Sequence, residues 1–157
     1  MLKLIKCEFL KLKRKKFIPL IILAAFLFPI PLTYLMTTPS MMERYTDRAD
    51  AFDGLFNMVL GYGIQFLLPC IIGVIAAILF FMERDNDTFK NLRTIPVTST
   101  QMVLAKIIVL FIFGIVFCVA STIATILCGF GTLEVYGIGY KLFLAVETGI
   151  FITAGTL

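Results

Sequence analysis

The charged residues that are best placed to take part in binding or catalysis in this 157-residue chain lie in two places. Four of them crowd five positions, at Glu83, Arg84, Asp85 and Asp87, and a lone carboxylate, Glu147, lies inside an apolar run. The chain has no histidine, the commonest general base and metal ligand. Its four cysteines have no Cys-x-x-Cys spacing and read as small apolar residues. We therefore predict no catalytic, cofactor-binding or metal-binding residue, and no enzyme activity.

The composition places these charges in a membrane protein. Hydrophobic residues make up 60% of the chain, charged residues 15%, and the mean hydropathy is +1.00. A soluble domain is nearer ~45–50% apolar. About 20 helical residues cross a ~30 Å hydrocarbon core. We predict an all-α fold with an N-terminal helix and about four transmembrane spans, at residues 17–36, 55–82, 102–129 and 142–157.

The remaining stretches connect these spans within a single transmembrane domain, residues 1–157. Residues 37–54 and 130–141 are predicted to be outer loops. Residues 83–101 form the charged segment between the second and third spans. The last apolar run, residues 142–157, reaches only ~24 Å as a helix. We therefore expect the fourth span to be truncated and the natural protein to continue beyond it.

The N-terminal stretch, residues 1–16, reads "MLKLIKCEFLKLKRKK". Its apolar side chains recur at helical spacing, at Leu2, Ile5, Phe9 and Leu12. Seven Lys and Arg residues oppose one acid, Glu8. The pattern predicts an interfacial amphipathic helix on an anionic inner leaflet. A solvated basic tail and a signal peptide are the alternatives, and the second lacks a cleavage site.

The distribution of basic residues predicts the topology. If the N-terminus is cytoplasmic, eleven Lys and Arg residues lie on the inner side. Only Arg44, Arg48 and Lys141 then lie in the outer loops. This positive-inside bias predicts a multi-pass protein with a cytoplasmic N-terminus and a cytoplasmic charged segment.

The charged segment is longer than a simple connection, for which ~4–6 residues suffice. Phe89, Leu92 and Arg93 lie at helical spacing, and Pro96 is expected to end that helix. The pattern fits a short surface helix that docks a partner, and a solvated loop fits equally well. Glu147 also has two interpretations. It is either a functional acid within a span or an acid near the interface beside Tyr140 and Lys141, where it is solvated or paired.

The stretch "ERDNDTFKNLRTIPVTSTQMVLAK" resembles the first cytoplasmic loop of ABC-2-type transporter permeases. The resemblance rests on the order of six residues: Glu83, Thr88, Leu92, Pro96, Ser99 and Lys106. The N-terminal "CEFLKLKRKK" is similar to the start of permeases in the bacitracin and lantibiotic export or immunity branch. Asp87 departs from the pattern, because a glycine often precedes the threonine. The resemblance covers essentially the whole chain and implies the N-terminal part of a six-span permease.

A permease of this kind, by resemblance, exports or clears an amphipathic peptide antibiotic or a similar compound. It has no ATPase motif of its own, and no Gly-x-x-x-x-Gly-Lys-Ser/Thr sequence occurs in the chain. ATP would be used by a separate ATP-binding subunit that docks on the charged segment. The implied docking residues are Glu83, Arg84, Thr88, Phe89, Leu92, Arg93 and Pro96.

The resemblance implies further partners and a location. The partners would be a second permease, either an identical copy or a homologue, and the lipid bilayer, with no nucleic acid. The protein would lie in the cell membrane of a bacterium. The alternative function is a small membrane immunity or sensor protein that does not transport and is complete at four spans.

Overall fold

The computed structural model describes residues 2–14, 17–85 and 99–156. Every regular element in these ranges is a helix, which confirms the predicted all-α membrane class. Three of the described helices are long and apolar enough to cross a membrane: Arg48–Phe81, Thr100–Gly129 and Ile138–Thr156. A shorter apolar helical stretch, Leu23–Met36, precedes them and is divided at Phe28.

The helices follow one another in a simple order. They are α1 (Leu2–Arg14), α2 (Phe17–Leu27), α3 (Pro29–Met36), α4 (Pro39–Met42), α5 (Arg48–Met58), a π-helical segment (Val59–Leu67), α6 (Leu68–Asp85), α7 (Ser99–Gly129) and α8 (Ile138–Thr156). Helix α7 is central, since it contacts α1, α2, α3, α5, the π-helical segment, α6 and α8.

The first apolar run is divided at Phe28, between α2 and α3. Pro29 follows the break and occupies the first turn of α3, where its missing N–H costs no helical hydrogen bond. The hydroxyl of Thr33 donates a 2.8 Å hydrogen bond to the carbonyl of Pro29. The prolines therefore interrupt the first run towards its far end, as their positions predict.

The helix that contains the second predicted span extends beyond the predicted run of residues 55–82 at both ends. It begins at Arg48, after Asp47 in extended conformation, and Asp50 in its first turn suits the helix dipole. It continues without a break through the π-helical segment to Asp85. The π-helical segment ends two residues before Pro69. Pro69 has no N–H to donate, so the change of hydrogen-bond register lies beside the position where an α-helical hydrogen bond would be missing.

Helix α8 begins four residues before the predicted apolar run, at Ile138. Gly137 precedes it with a φ of 63°, a left-handed conformation that glycine adopts without strain. The earlier start includes Lys141 in the helix. Its 19 residues reach about 28 Å, so this helix is long enough to cross, unlike the 16-residue run expected from the sequence.

Helices α7 and α8 pack closely because small residues face one another. A Cβ on Gly149 would overlap Sγ of Cys118, and a Cβ on Gly114 would overlap Cγ2 of Thr153. Small residues of this kind allow helix backbones to approach in a membrane. The contact places two internal positions of α7 beside two of α8 and thereby sets the relative height of the helices.

Buried hydroxyls in the bundle are satisfied within their own helices. The side chains of Thr122, Thr125 and Thr153 each donate a 2.8 Å hydrogen bond to the carbonyl four residues earlier. Lipid offers no alternative partner for such groups. These threonines therefore belong to the packed interior and need no functional explanation.

Candidate functional site

The charged segment links the end of α6 to the start of α7. Glu83 and Arg84 lie in the last turn of α6, which ends at Asp85. The other five predicted docking residues lie outside the described residues: Thr88, Phe89, Leu92, Arg93 and Pro96. What the structure does show is how the two flanking helices are joined.

Lys106 joins α6 and α7 close to the charged segment. Its side chain is buried, and its Nζ donates a hydrogen bond of 3.4 Å to the carbonyl of Leu79. The same ammonium lies 4.4 Å from the centroid of the Phe80 ring, within range of a cation–π interaction. The sequence predicts only that Lys106 lies near the inner end of a span. In the structure its side chain links two helices.

Helix α1 is attached to the same central helix. The Phe9 ring stacks on Phe113 of α7 with centroids 5.6 Å apart, and Leu12 is fully buried in the main core. Glu8, on the same side of α1, is also buried. The amphipathic helix predicted from the sequence is present, and its apolar side chains Phe9 and Leu12 pack against protein.

A second charged cluster lies at the opposite end of the bundle, where α5 meets α8. Lys141 of α8 forms an ion pair with Asp53 of α5. The hydroxyl of Tyr136, in the turn before α8, donates a hydrogen bond to the other carboxylate oxygen of Asp53. Lys141 Nζ also donates to the backbone carbonyl of Tyr136 at 3.3 Å. We refer to Asp53, Tyr136 and Lys141 as the outer clasp, because the sequence predicts that this end of the bundle faces outward.

Aromatic rings surround the ammonium of the outer clasp. Lys141 Nζ lies 4.1 Å from the ring centroid of Tyr136, 4.5 Å from that of Phe52 and 5.8 Å from that of Phe56. The lysine side chain is only 6% exposed, whereas that of Asp53 is 42% exposed. Ion pairing and ring faces together compensate for removing the ammonium from water.

The carboxylate of the clasp also acts on the phenol. The hydrogen bond that Tyr136 donates to Asp53 raises the pKa of the phenol above its usual value of 10.0, with smaller contributions from desolvation and from the charges of Asp53 and Asp50. The phenol therefore remains neutral, and a donor, throughout the physiological range. A cavity of about 310 Å³ opens beside the clasp and includes Asn57, Tyr140 and Leu144 in its wall.

The sequence did not predict the outer clasp. Asp53 falls in a predicted outer loop, and Lys141 is expected to be an outer positive charge and a neighbour of Glu147. The two residues are 88 positions apart, so no local pattern joins them. The one local signal is a tyrosine five residues before a lysine at the start of a span, Tyr136 and Lys141.

Glu147 lies on the exposed side of α8, apart from both clusters. It borders a shallow cavity of about 300 Å³ whose other lining residues are Phe143, Val146, Ile150 and Phe151. Neither Tyr140 nor Lys141, its predicted neighbours at the interface, lines this cavity. Within the described ranges, no group of three or more Cys, Asp or Glu residues is arranged to hold a metal ion.

Comparison with known proteins identifies the family of the chain. Residues 4–157 match the family model described as ABC-2 family transporter protein. No curated protein and no solved structure matches the chain. The match covers nearly the whole chain. It is consistent with the helical membrane fold and with the resemblance of the charged segment to ABC-2-type permeases. The chain therefore belongs to the ABC-2 transporter family, as a membrane-embedded permease component of an ABC transporter.

Proposed function

We propose that the chain works with a separate ATP-binding subunit, which docks on the charged segment from the cytoplasm. Together they export, or clear from the membrane, an amphipathic peptide antibiotic or a similar compound. ATP is bound and hydrolysed by the partner subunit. Glu83, Arg84, Thr88, Phe89, Leu92, Arg93 and Pro96 contribute the docking surface on this chain.

The contact of Lys106 with α6 is the observation that best supports this proposal. Lys106 lies seven residues after Ser99, the first residue of α7, and Leu79 lies six residues before Asp85, the last residue of α6. Along a helix these separations are about 10 Å and 9 Å. The two helices that flank the charged segment are thus joined at nearly equal distances from it.

A contact that links α6 to α7 would help these helices to transmit movement from a docked ATP-binding subunit. A force on the charged segment would move α6 and α7 as a pair instead of bending either helix alone. Helix α7 also contacts α1 and α8, so its displacement would reach the rest of the bundle. Closure of an ATPase dimer below the membrane would in this way rearrange the helices that line the transport route.

Co-purification tests the docking proposal. The full-length permease, tagged and extracted from its native membrane in mild detergent, should retain an ATPase subunit. Reversing the two charges at the end of α6, with Glu83→Lys and Arg84→Glu, should reduce the amount of ATPase recovered. Glu43→Lys is the matched control, because Glu43 is exposed in the predicted outer loop.

Two results would contradict the proposal. The first is a folded permease that retains no ATPase in mild detergent, which would favour the non-transporting immunity or sensor protein. The second is equal recovery of the ATPase by the charge-reversed and unchanged proteins, which would move the docking surface elsewhere.

We also propose that the protein lies in the bacterial cell membrane with its N-terminus in the cytoplasm, paired with an identical or homologous permease. The charge distribution supports this orientation. Single cysteines at Glu134 and Arg93, in a protein without its native cysteines, test it with a membrane-impermeant thiol reagent added to intact cells. Labelling is expected at position 134 and not at position 93, and the reverse pattern would invert the topology.

A further inference from the structure

The position of Glu147 within α8 has a consequence for ligand binding. Glu147 lies nine residues after Ile138, the first residue of the helix. That is about 13 Å from this end at the usual helical rise. A carboxylate at this position is far from the start of the helix, where an acid would ordinarily meet water.

The packing of α8 on α7 supports the same depth. Gly149, two residues after Glu147, packs on Cys118 of α7. Cys118 lies eleven residues before Gly129, the end of α7. This corresponds to about 16 Å along α7. Both helices therefore place the carboxylate well inside the membrane-crossing part of the bundle.

The surface around Glu147 is apolar and aromatic. Phe143 and Phe151, one turn on either side, are 65% and 70% exposed, and Ile150 is partly exposed between them. With Val146 they border the shallow cavity of about 300 Å³ beside the carboxylate. An ionised acid facing hydrocarbon at this depth is unfavourable. A bound group that carries positive charge would offset this cost.

A second copy of the three membrane-crossing helices is a poor source of that charge. In the described part of the three membrane-crossing helices, the basic side chains are Arg48, at the outer end, and the buried Lys106 and Lys141. A symmetric contact through this face would bring two Glu147 carboxylates together. A ligand with its own cation and an apolar body fits the surface better.

We propose that the face of α8 formed by Phe143, Val146, Glu147, Ile150 and Phe151 binds the positively charged group of an amphipathic substrate. The inference rests on the proposed transport function and narrows the substrate class to amphipathic cations. Glu147 neutralises the cationic group, the two phenylalanine rings contact the cation or its neighbouring methylenes, and Ile150 and Val146 contact the apolar body.

Binding of a lipophilic cation provides the first test. Radiolabelled tetraphenylphosphonium is added to the full-length permease with its partner subunits in lipid nanodiscs. Glu147→Gln, which removes the charge and keeps the shape, should weaken binding about tenfold, and Glu147→Asp should retain most of it. Glu134→Gln is the control, because it removes an exposed carboxylate from the outer turn. Tetraphenylborate, an anion of the same shape, should bind no more weakly to Glu147→Gln than to the unchanged protein.

Thiol labelling provides a second test that does not depend on affinity. Ile150→Cys is prepared in a background in which the four native cysteines are replaced by serine or alanine, and folding is checked by thermal unfolding. A cationic methanethiosulfonate should react faster than an anionic one, and Glu147→Gln should abolish the preference. If neither reagent reacts, the face is covered by protein or lipid and the proposal is wrong.

The outcomes separate this inference from the proposed function. If an ATPase co-purifies but Glu147→Gln binds the phosphonium as tightly as the unchanged protein, only the cation site is wrong. If the charge-dependent binding is seen and no ATPase co-purifies, the cation site stands and the coupling proposal fails.

Discussion

Two buried lysines, one towards each end of the bundle, show how the same residue type serves two structural purposes. Lys106 joins α6 and α7, which follow one another in the chain and flank the charged segment. Lys141 joins α5 and α8, which are separated by α6 and α7. The first contact holds together the helices that a docked partner would move. The second holds together helices that are distant in sequence.

The two lysine contacts also differ in how easily water reaches them. The outer clasp depends on a carboxylate that is 42% exposed, so water and ions reach one partner of its ion pair. Lys106 contacts a backbone carbonyl and a ring face, and it is only 2% exposed. We therefore interpret the outer clasp as the joint that water and salt reach more easily, and the Lys106 contact as part of the buried interior.

Breaking the outer clasp should have the largest effect on stability. Asp53→Ala leaves the ammonium of Lys141 buried without its carboxylate. Loss of one partner of a buried pair costs ~3–5 kcal/mol, and partial exposure of Asp53 reduces the expected loss to about 2–3 kcal/mol. Thermal unfolding in detergent measures it. The control is Asp50→Asn, one turn earlier on α5 and exposed.

A double substitution sharpens this result. Asp53→Ala combined with Lys141→Met removes both charges, and it should be less destabilising than the sum of the two single changes. Additive losses would mean that the two side chains are not coupled, which would disprove the clasp as an ion pair.

Overpacking midway between the two lysines should weaken both ends of the bundle. Gly149→Leu forces a side chain into Cys118 at the α7–α8 contact, and such overpacking costs about 1–3 kcal/mol. Gly155→Ala, on the same helix but with open space at its Cβ, is the control. An unchanged unfolding temperature for Gly149→Leu would show that α7 and α8 do not approach closely there.

Removing the ammonium near the charged segment should affect coupling more than folding. Lys106→Met keeps the length of the side chain and loses the contacts with Leu79 and Phe80, at a cost of about 1–2 kcal/mol. In the assembled transporter we expect ATP hydrolysis to continue while substrate transport per ATP falls. Transport per ATP that equals that of the unchanged protein would remove Lys106 from the coupling route.

The smallest effect is expected at the phenol of the outer clasp. Tyr136→Phe removes one hydrogen bond to Asp53 and leaves the ion pair, so it should lower the unfolding temperature less than Asp53→Ala. The folded pKa of this phenol is raised, so its contribution is fully present below pH 10.0 and is lost as pH rises through the folded pKa. The difference in absorbance between the unchanged protein and Tyr136→Phe isolates this titration. A midpoint at or below 10.0 would contradict the hydrogen bond.

Much of the fold follows from local patterns. The apolar runs predict the membrane-crossing helices, and the 3–4 spacing of Leu2, Ile5, Phe9 and Leu12 predicts α1. The ends of the helices were harder to place, because α5 and the start of α8 contain polar residues that hydropathy assigns to loops. Asp53 and Lys141 can lie within these helices because they form an ion pair with each other. A hydropathy profile does not detect such a pair.

The candidate sites divide in the same way. The charged segment and Glu147 stand out in the sequence because they are charged residues beside or within apolar runs. The outer clasp and the burial of Lys106 do not, because they depend on how the helices are rotated and on their relative height. Five of the seven predicted docking residues lie outside the described residues, so their role stays a prediction.

The sequence by itself determined the membrane class, the helical fold and the resemblance to ABC-2 permeases, because hydropathy, helical spacing and charge order are properties of neighbouring residues. Only the tertiary structure decided that Asp53 meets Lys141, that Lys106 contacts α6, and that Glu147 lies exposed among phenylalanines. Those facts depend on which face each helix turns towards its neighbours. Close packing of α7 and α8 at Gly114 and Gly149 is part of what sets those faces.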